Sequence, residues 1–263
     1  MFTIGSDPEF ILRDLNGNLA SSIGLLGGTK KSPRKTKHGW IQEDNVTAEV
    51  NSLPSHSLEE FISNHKLVMD DLMSILKPLD LTVDIIGSAT FPSELLSHPL
   101  ASIAGCDPDF NAWSLSVNPT ANYQTTNVRA AGGHLHIGSN IFKTPMDRIG
   151  FCKALDLELG VPSVIQDPDA RRRELYGKAG AHRPKFLSQD GFDGLEYRVL
   201  SNFWMKSDEL LRFIYSKVEL IVNNFEEEVE KAESLQSHIV SIINKGSVED
   251  AISFCNREGV AYA

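Results

Sequence analysis

Two histidines two positions apart lie between glycines in Gly132-Gly133-His134-Leu135-His136-Ile137-Gly138, the most informative stretch of the sequence. If it forms a β-strand, His134 and His136 point to one face, and Leu135 and Ile137 point to the other. The strand would then bury an apolar face and present two imidazoles on the opposite face. Taken alone, this pattern fits a structural histidine pair as well as a binding site. The polar residues of the other predicted strands are therefore needed to choose between the two interpretations.

The same spacing of polar residues recurs in three further stretches with strand-like neighbours. They are Asp7-Pro8-Glu9, Glu49-Val50-Asn51 and Glu196-Tyr197-Arg198. If all four strands belong to one sheet, one of its faces carries carboxylates, imidazoles and a guanidinium. Four unrelated strands with exposed polar faces are the alternative, but the repetition of the pattern favours a shared site.

Carboxylates that lie this close together raise one another's pKa unless a cation neutralises them. Mg²⁺ suits such a face because it prefers oxygen ligands and bridges nucleotide phosphates. A zinc site would contain more histidine or cysteine and fewer carboxylates. The sequence therefore predicts a magnesium site on the sheet.

A basic stretch precedes the fourth of these strands in an otherwise acidic chain. It contains Arg171-Arg172-Arg173, Tyr176-Gly177, Gly180 and Arg183-Pro184-Lys185. Arginine guanidiniums suit phosphate oxygens, and glycines let the backbone approach a ligand. An exposed basic loop is the alternative, but the position of the stretch favours phosphate binding. Metal and phosphate sites together predict metal-bridged phosphoryl transfer.

The composition limits the classes of function. The 263 residues are 41% hydrophobic and 23% charged, which is typical of a globular protein. The net charge of −10 argues against nucleic-acid binding through a broad basic patch. Cys106, Cys152 and Cys255 show neither zinc spacing nor a disulfide pattern, so they predict a reduced, cytosolic protein. The sequence predicts neither a signal peptide nor a membrane-spanning segment.

The order of predicted elements favours an α+β fold with a largely antiparallel sheet, not a doubly wound one. Strands are predicted within 2–12, 19–23, 40–53, 81–89, 128–139 and 194–203, and helices within 57–77, 145–159, 207–235, 239–243 and 248–255. Residues 161–185 are predicted to be rich in loops. There is no P-loop and no dinucleotide-binding motif.

Three polar features are predicted to serve the structure. His65 lies on the apolar stripe of the first helix and is predicted to be a packed core histidine. Glu226-Glu227-Glu228 is predicted to be a solvated helix face. Asp107-Pro108-Asp109 is predicted to be a turn, with substrate contact as the alternative.

The ordered motifs resemble those of a known family. They are Gly-Ser-Asp-Pro-Glu-Phe, Glu-Asp-Asn-(x)₄-Glu-Val-Asn, Gly-Gly-His-Leu-His-Ile-Gly, Arg-(x)₃-Tyr-Gly-Lys-Ala-Gly-Ala-His-Arg and Gly-Leu-Glu-Tyr-Arg-Val-Leu-Ser-Asn-Phe-Trp. This set is similar to the phage-encoded type 2 carboxylate–amine ligases (the phiEco32-like group), in the superfamily of glutamine synthetase and glutamate–cysteine ligase. The motifs extend from residue 5 to about residue 204.

The resemblance implies an enzyme that uses ATP and two or three Mg²⁺ ions to form an amide bond through an acyl phosphate. It implies a curved half-barrel sheet backed by helices, in one catalytic domain over residues 1–263 that is helical from about residue 207. The implied substrates are small-molecule or peptide acids and amines, in the cytoplasm of a host if the chain is phage-encoded. A phosphotransferase of the guanidino-kinase type and a catalytically inactive binding protein on the same fold remain alternatives.

The resemblance also assigns roles to individual residues. The implied metal ligands are Asp7, Glu9, Glu49, His134 and Glu196. The implied ATP and phosphate contacts are Arg171, Arg172, Arg173, Lys178, Arg183 and His136. The implied catalytic residues are Arg183, Arg198 and His136, with Arg198 steadying the transferred phosphate or the substrate carboxylate. Which of the three adjacent arginines contacts phosphate, and whether Asp44 or Glu43 assists the metal, stays open.

Overall fold

The computed structural model describes residues 1–102, 109–119, 123–185 and 194–263, which form thirteen strands and eight α-helices. The strands are β1 (Phe2–Asp14), β2 (Leu19–Ala20), β3 (Arg34–Lys35), β4 (Gly39–Asp44), β5 (Thr47–Ser52), β6 (Leu81–Asp84), β7 (Ser88–Thr90), β8 (Phe110–Asn111), β9 (Ser116–Val117), β10 (Val128–Ala130), β11 (Gly133–Ser139), β12 (Ala181–Lys185) and β13 (Gly194–Tyr197). The helices are α1 (Leu58–Leu76), α2 (Pro145–Leu155), α3 (Val161–Gln166), α4 (Ala170–Leu175), α5 (Asp208–Asn223), α6 (Phe225–Ser234), α7 (Gln236–Lys245) and α8 (Val248–Glu258).

Eleven of the strands described form one sheet, in the order β3-β4-β5-β1-β11-β13-β12-β8-β9, with β2 and β6 also paired to β1. All of its strand pairs among the described residues are antiparallel. β7 and β10 pair separately. The predicted α+β fold with an antiparallel sheet backed by helices is therefore confirmed.

The pleat gives the large sheet one apolar face. Ile4 of β1 lies opposite Ile137 of β11, and both side chains are buried. The helices α2, α5 and α7 cover this face with side chains such as Phe151, Ile214 and Ile243, which belong to the same buried cluster. Each fully buried side chain of this kind contributes about 1.5–3 kcal/mol of transfer free energy. The polar residues of the same strands must therefore point away from the helices.

The first helix begins and packs as predicted. The Ser57 hydroxyl caps α1 by accepting a hydrogen bond from the Glu60 N–H at 3.2 Å. His65 is fully buried. Its Nδ1 lies 2.6 Å from the Phe61 carbonyl oxygen and its Nε2 lies 2.6 Å from the Ser6 hydroxyl. Both ring nitrogens are thus satisfied inside the core, which confirms the structural role predicted for this histidine.

Other predicted boundaries were wrong, and local chemistry explains part of the difference. The helix predicted over 145–159 ends at Leu155 and continues as a π-helical turn, Asp156–Gly160, before α3. The helix predicted over 207–235 breaks at Asn224, whose backbone leaves the helical region, so α5 and α6 are separate. Residues 161–185 hold α3, α4 and β12 and are not mostly loop. These elements have only five or six residues, too few for a periodic pattern.

Two of the three cysteines lie in the described part of the chain. Cys152 and Cys255 are buried free thiols. Cys106 lies outside the described residues, as do Asp107 and Pro108 of the predicted turn. Among the helices of the described ranges, none combines the length and apolar character needed to cross a membrane.

Candidate active site

The strand register brings the four polar motifs onto one face of the sheet. Directly opposite residues of an antiparallel pair share a face. The opposed pairs are Asp7 with His134, Glu9 with Glu49, His136 with Glu196, and Arg183 with Glu196. The shared polar face, which was a hypothesis from residue spacing, is thus present and lies opposite the helices.

The first group on this face, called the histidine–acid cluster, consists of Asp7, His136 and Glu196. One potential ligand atom from each of them lies within 4.8 Å of the others. The Asp7 carboxyl lies 3.3 Å from Nε2 of His136 and 3.1 Å from Nδ1 of His134. Burial acts to raise the pKa of Asp7, but the neighbouring histidines outweigh it and hold that pKa well below its usual range.

His134 differs from His136 in its surroundings. Its side chain is 2% exposed, against 26% for His136. Burial, assisted by the positive charge of Arg198, lowers the pKa of His134 to about 4, so the ring is neutral at pH 7. Its Nε2 is buried beside Gly132, where an added Cβ would lie only 2.4 Å away. His134 thus packs beneath the site, and His136 is the histidine that reaches its open side.

Cations surround the Glu196 carboxylate. Arg198 donates a short hydrogen bond to it. Lys185 Nζ lies 3.2 Å away and Arg183 Nη1 lies 3.6 Å away. Three positive side chains around one carboxylate place more positive than negative charge around Glu196. This end therefore suits an anionic ligand such as phosphate.

The second group, called the carboxylate cluster, consists of Glu9, Asp44 and Glu49. Their carboxylate oxygens also lie within 4.8 Å of one another, and all three residues are buried. Few neutral donors compensate them: the Gly132 N–H bonds Glu9 at 2.9 Å, and the Asn51 amide bonds Glu49 at 3.0 Å.

Burial and mutual repulsion disfavour charge in the carboxylate cluster. Burial, the negative charge of Asp44 and a smaller effect of Asp7 raise the pKa of Glu9 to about 8, against the Gly132 hydrogen bond. Burial and the charges of Asp7, Asp44 and Glu9 raise the pKa of Glu49 well above its usual range. Burial also raises the pKa of Asp44, although Lys30 opposes it. Three buried oxygen donors with raised pKa values fit a divalent cation, which would neutralise them.

The structure also decides which neighbour of the carboxylate cluster faces it. The sequence left open whether Asp44 or Glu43 assists the metal, and only Asp44 lies in the cluster. Glu43 lies one residue earlier on β4, so its side chain points to the other face and accepts a hydrogen bond from the Leu26 N–H at 3.1 Å.

Arg198 is fixed from several sides. Its Nε donates to the Asp109 carboxylate at 3.2 Å, and Asp109 in turn accepts from the Asn118 amide at 2.8 Å. Its guanidinium carbon lies 5.1 Å from the centre of the Tyr176 ring, within the range of a cation–π interaction. Asp109 was predicted to be part of a turn, with substrate contact as the alternative, and Tyr176 was part of the basic stretch without a role of its own. In the sequence, the Asp-x-Asn pattern of Asp109 and Asn111 and the glycine after Tyr176 are the signals near these two residues.

The other predicted phosphate contacts lie elsewhere. Arg171 is 54% exposed and pairs with Asp169 at 2.9 Å. Arg172 is buried and donates to the carbonyls of the residues that follow β13. Arg173 lies 3.3 Å from the Asp167 carbonyl, and Lys178 is exposed. Within the described ranges, neither cluster forms a hydrogen bond or ion pair with Arg171, Arg173 or Lys178. Arg172 approaches the site through the Tyr176 ring, at 5.7 Å.

A buried aspartate holds the Arg183 strand from behind the sheet. Asp156 accepts hydrogen bonds from the Gly180 N–H at 2.6 Å, the Trp113 indole at 2.6 Å and the Tyr197 hydroxyl at 2.7 Å. Burial raises the pKa of Asp156 to about 7 against these donors. The three bonds fix where β12 begins and therefore where Arg183 enters the site.

Known proteins share features with this chain. The model of the family described as phage phiEco32-like COOH–NH2 ligase type 2 matches residues 112–251. A bifunctional glutathione synthetase from Pasteurella multocida aligns over 97% of this chain and 49% of its own, with 10% identity and a TM-score of 0.47. A novel glutamine synthase homologue aligns over 98% and 66%, with 12% identity and a TM-score of 0.43. The chain thus spans about half the length of the glutathione synthetase. No curated protein matches the sequence.

Proposed function

Since the chain belongs to the phage phiEco32-like carboxylate–amine ligase type 2 family, we propose that it forms an amide bond in a reaction that consumes ATP. A carboxylate oxygen of one substrate attacks the γ-phosphorus of ATP, and the bond to the ADP oxygen breaks. The amine nitrogen of the second substrate then attacks the acyl phosphate, phosphate leaves, and the nitrogen loses a proton. The observation that carries this proposal is the pair of acidic clusters on one sheet face beside three cations.

The donor sets fit Mg²⁺. Glu9, Asp44 and Glu49 would hold one ion, because their buried oxygens lie close together and burial raises the pKa of each. Asp7, His136 and Glu196 would hold a second one. When bound, Mg²⁺ neutralises phosphate oxygens and the charge that develops on the leaving group.

The two histidines take different roles in this proposal. His136 is the metal or phosphate contact, because it belongs to the histidine–acid cluster and is the more exposed of the two histidines. His134 supports Asp7 from beneath through its 3.1 Å contact. The family resemblance implied His134 as the metal ligand and His136 as the phosphate or substrate contact, so the proposal differs from it in the role of His134.

The cations act on the transferred phosphoryl group. Arg198 and Arg183 both approach Glu196, so the two guanidiniums lie at the same end of the site. Guanidinium donors suit phosphoryl oxygens, and they stabilise the charge that these oxygens develop during transfer. Contacts of Arg171, Arg172, Arg173 or Lys178 with ATP stay predictions.

Phosphate release and product mass test the function. The wild-type protein, given MgATP and a panel of acid and amine pairs, should release phosphate with an amide of the summed mass. Glu9→Gln and Glu196→Gln should lower turnover by at least 100-fold while the protein stays folded. Glu230→Gln on the exposed surface of α6 is the matched control and should keep full turnover.

Two results would contradict the proposal. Full turnover in both site variants would exclude the two clusters as the reaction centre. A stable phosphorylated product without amide, in place of phosphate release, would show a phosphotransferase.

A further inference from the structure

An aromatic ring lies over the cationic end of the polar face. The ring centre of Tyr176 is 5.1 Å from the guanidinium carbon of Arg198 and 5.7 Å from that of Arg172. It is also 5.6 Å from the ring centre of His134. The ring is thus close to two guanidiniums and to one residue of the histidine strand.

The backbone fixes this position. The Tyr176 N–H donates to the Arg172 carbonyl at 2.7 Å, and the Arg172 guanidinium donates to the Val199 and Leu200 carbonyls at 2.7 and 2.6 Å. The next residue, Gly177, has a φ of +75°, and a Cβ there would lie 2.1 Å from Arg172 Nη1. Only glycine permits this turn, so Tyr176 is tied to the end of the strand that carries Arg198.

The hydroxyl of this tyrosine is unused. Its oxygen is buried, and no group in the described part of the chain forms a hydrogen bond with it. A buried hydroxyl without a partner is unfavourable, and a phenol O–H is a good donor. Because the charged groups over its ring are guanidiniums, the complementary acceptor is an anionic oxygen.

We propose that Tyr176 is a further catalytic residue, whose hydroxyl donates a hydrogen bond to a phosphoryl oxygen of the ligand bound at Arg198. Its ring holds the guanidinium of Arg198 in place. This inference rests on the proposed function, because the phosphoryl group is the one that passes from ATP to the substrate. No proton is transferred and no covalent bond is formed by the tyrosine.

Tyr176→Phe tests the hydroxyl alone, because it keeps the ring over the guanidiniums. We expect turnover to fall 10- to 100-fold, with a KM for MgATP within about twofold of the wild-type value and an unchanged melting temperature. Tyr262→Phe near the exposed C-terminal end is the matched control and should keep the wild-type rate. Unchanged turnover in Tyr176→Phe would overturn the proposal.

A spectroscopic readout separates this inference from the proposed function. The chain has five tyrosines, so protein labelled with 3-fluorotyrosine should give five ¹⁹F signals, and the signal missing from Tyr176→Phe identifies Tyr176. Inorganic phosphate added with MgCl₂ should shift that signal and leave the Tyr262 signal in place. Absence of the shift would overturn the role of Tyr176. A wild-type protein without turnover but with the shift would contradict only the ligase function.

Discussion

Glu49 shows at the scale of one residue why the carboxylate cluster suits a cation. It is 5% exposed, and burial and the charges of Asp7, Asp44 and Glu9 all oppose its ionisation. Such a group is tolerated in a folded protein when a ligand uses it, since an unneutralised buried charge costs several kcal/mol. Its unfavourable environment is thus an indicator of function.

Glu49→Gln should stabilise the metal-free protein and reduce its response to magnesium. Removing the repulsion should raise the free energy of unfolding by about 1–2 kcal/mol. Mg²⁺ should raise the melting temperature of the wild-type protein more than that of the variant, because the variant keeps only one of the two proposed metal sites. Thermal denaturation with and without MgCl₂ measures both effects, with Glu230→Gln as the control. An equal magnesium shift in Glu49→Gln would remove the cluster from the metal site.

His65 gives the protein a predictable pH dependence of stability. Burial lowers its pKa to about 4 from 6.5, so the folded state excludes a proton that the unfolded state binds between these values. The contribution of His65 to stability is therefore complete above pH 6.5 and falls as the pH decreases, by about 2 kcal/mol between pH 7 and pH 5.

Urea unfolding at the two pH values tests this dependence. His65→Phe keeps the ring contacts with Phe61 and Trp204 but cannot titrate, so it should lose less stability between pH 7 and pH 5 by about 2 kcal/mol. His56→Phe changes an exposed histidine and should follow the wild-type protein. Parallel pH profiles of His65→Phe and the wild type would contradict the assignment.

At the scale of elements, a buried ion pair joins the π-helical turn to α5. Lys217 Nζ lies 2.5 Å from the Glu158 carboxylate, and both residues are buried. Lys231 of α6 approaches the same carboxylate at 4.0 Å. The pair therefore fixes the packing of three helical segments behind the sheet.

Removing one partner should harm the fold more than removing both. Lys217→Met leaves Glu158 charged in the interior and should cost about 3 kcal/mol of stability. The double variant Glu158→Leu, Lys217→Met should come within about 1 kcal/mol of the wild type, because no buried charge remains. Urea unfolding measures both, and a double variant less stable than Lys217→Met would show that the pair itself stabilises the protein.

The elements also show where sequence patterns stop being informative. The strand around His134 and His136 was predictable, because its apolar and polar residues alternate. β12 was not, since Ala181-His182-Arg183-Pro184-Lys185 has no alternation and is a strand because β13 and β8 pair with it. The start of β12 depends on the hydrogen bond from the Gly180 N–H to Asp156, and these two residues are 24 positions apart in the chain.

At the scale of the whole molecule, spacing predicted the polar face but not the groups that complete it. Residues two positions apart on one strand share a face wherever the strand lies. That Asp7 and Glu9 share a face was therefore predictable without knowledge of the fold. The strand order brings Asp44 close to Glu9. Arg198 reaches Asp109 across a long segment of chain. Such pairs depend on tertiary structure, and no local pattern in one sequence specifies them.

The strand order has a consequence for how the protein is made. β1 is synthesised first, yet its pairing with β11 joins Asp7 to a residue 127 positions later. The opposite side of the site, on β13, emerges from the ribosome later still. Non-local pairings of this kind slow folding, because the chain must close a long loop before any contact compensates for the lost entropy. The second half of β1 can pair early with β2, β5 and β6, but residues 2–8 lack their partner strand until β11 has been made, and a chaperone would protect them from aggregation in that period.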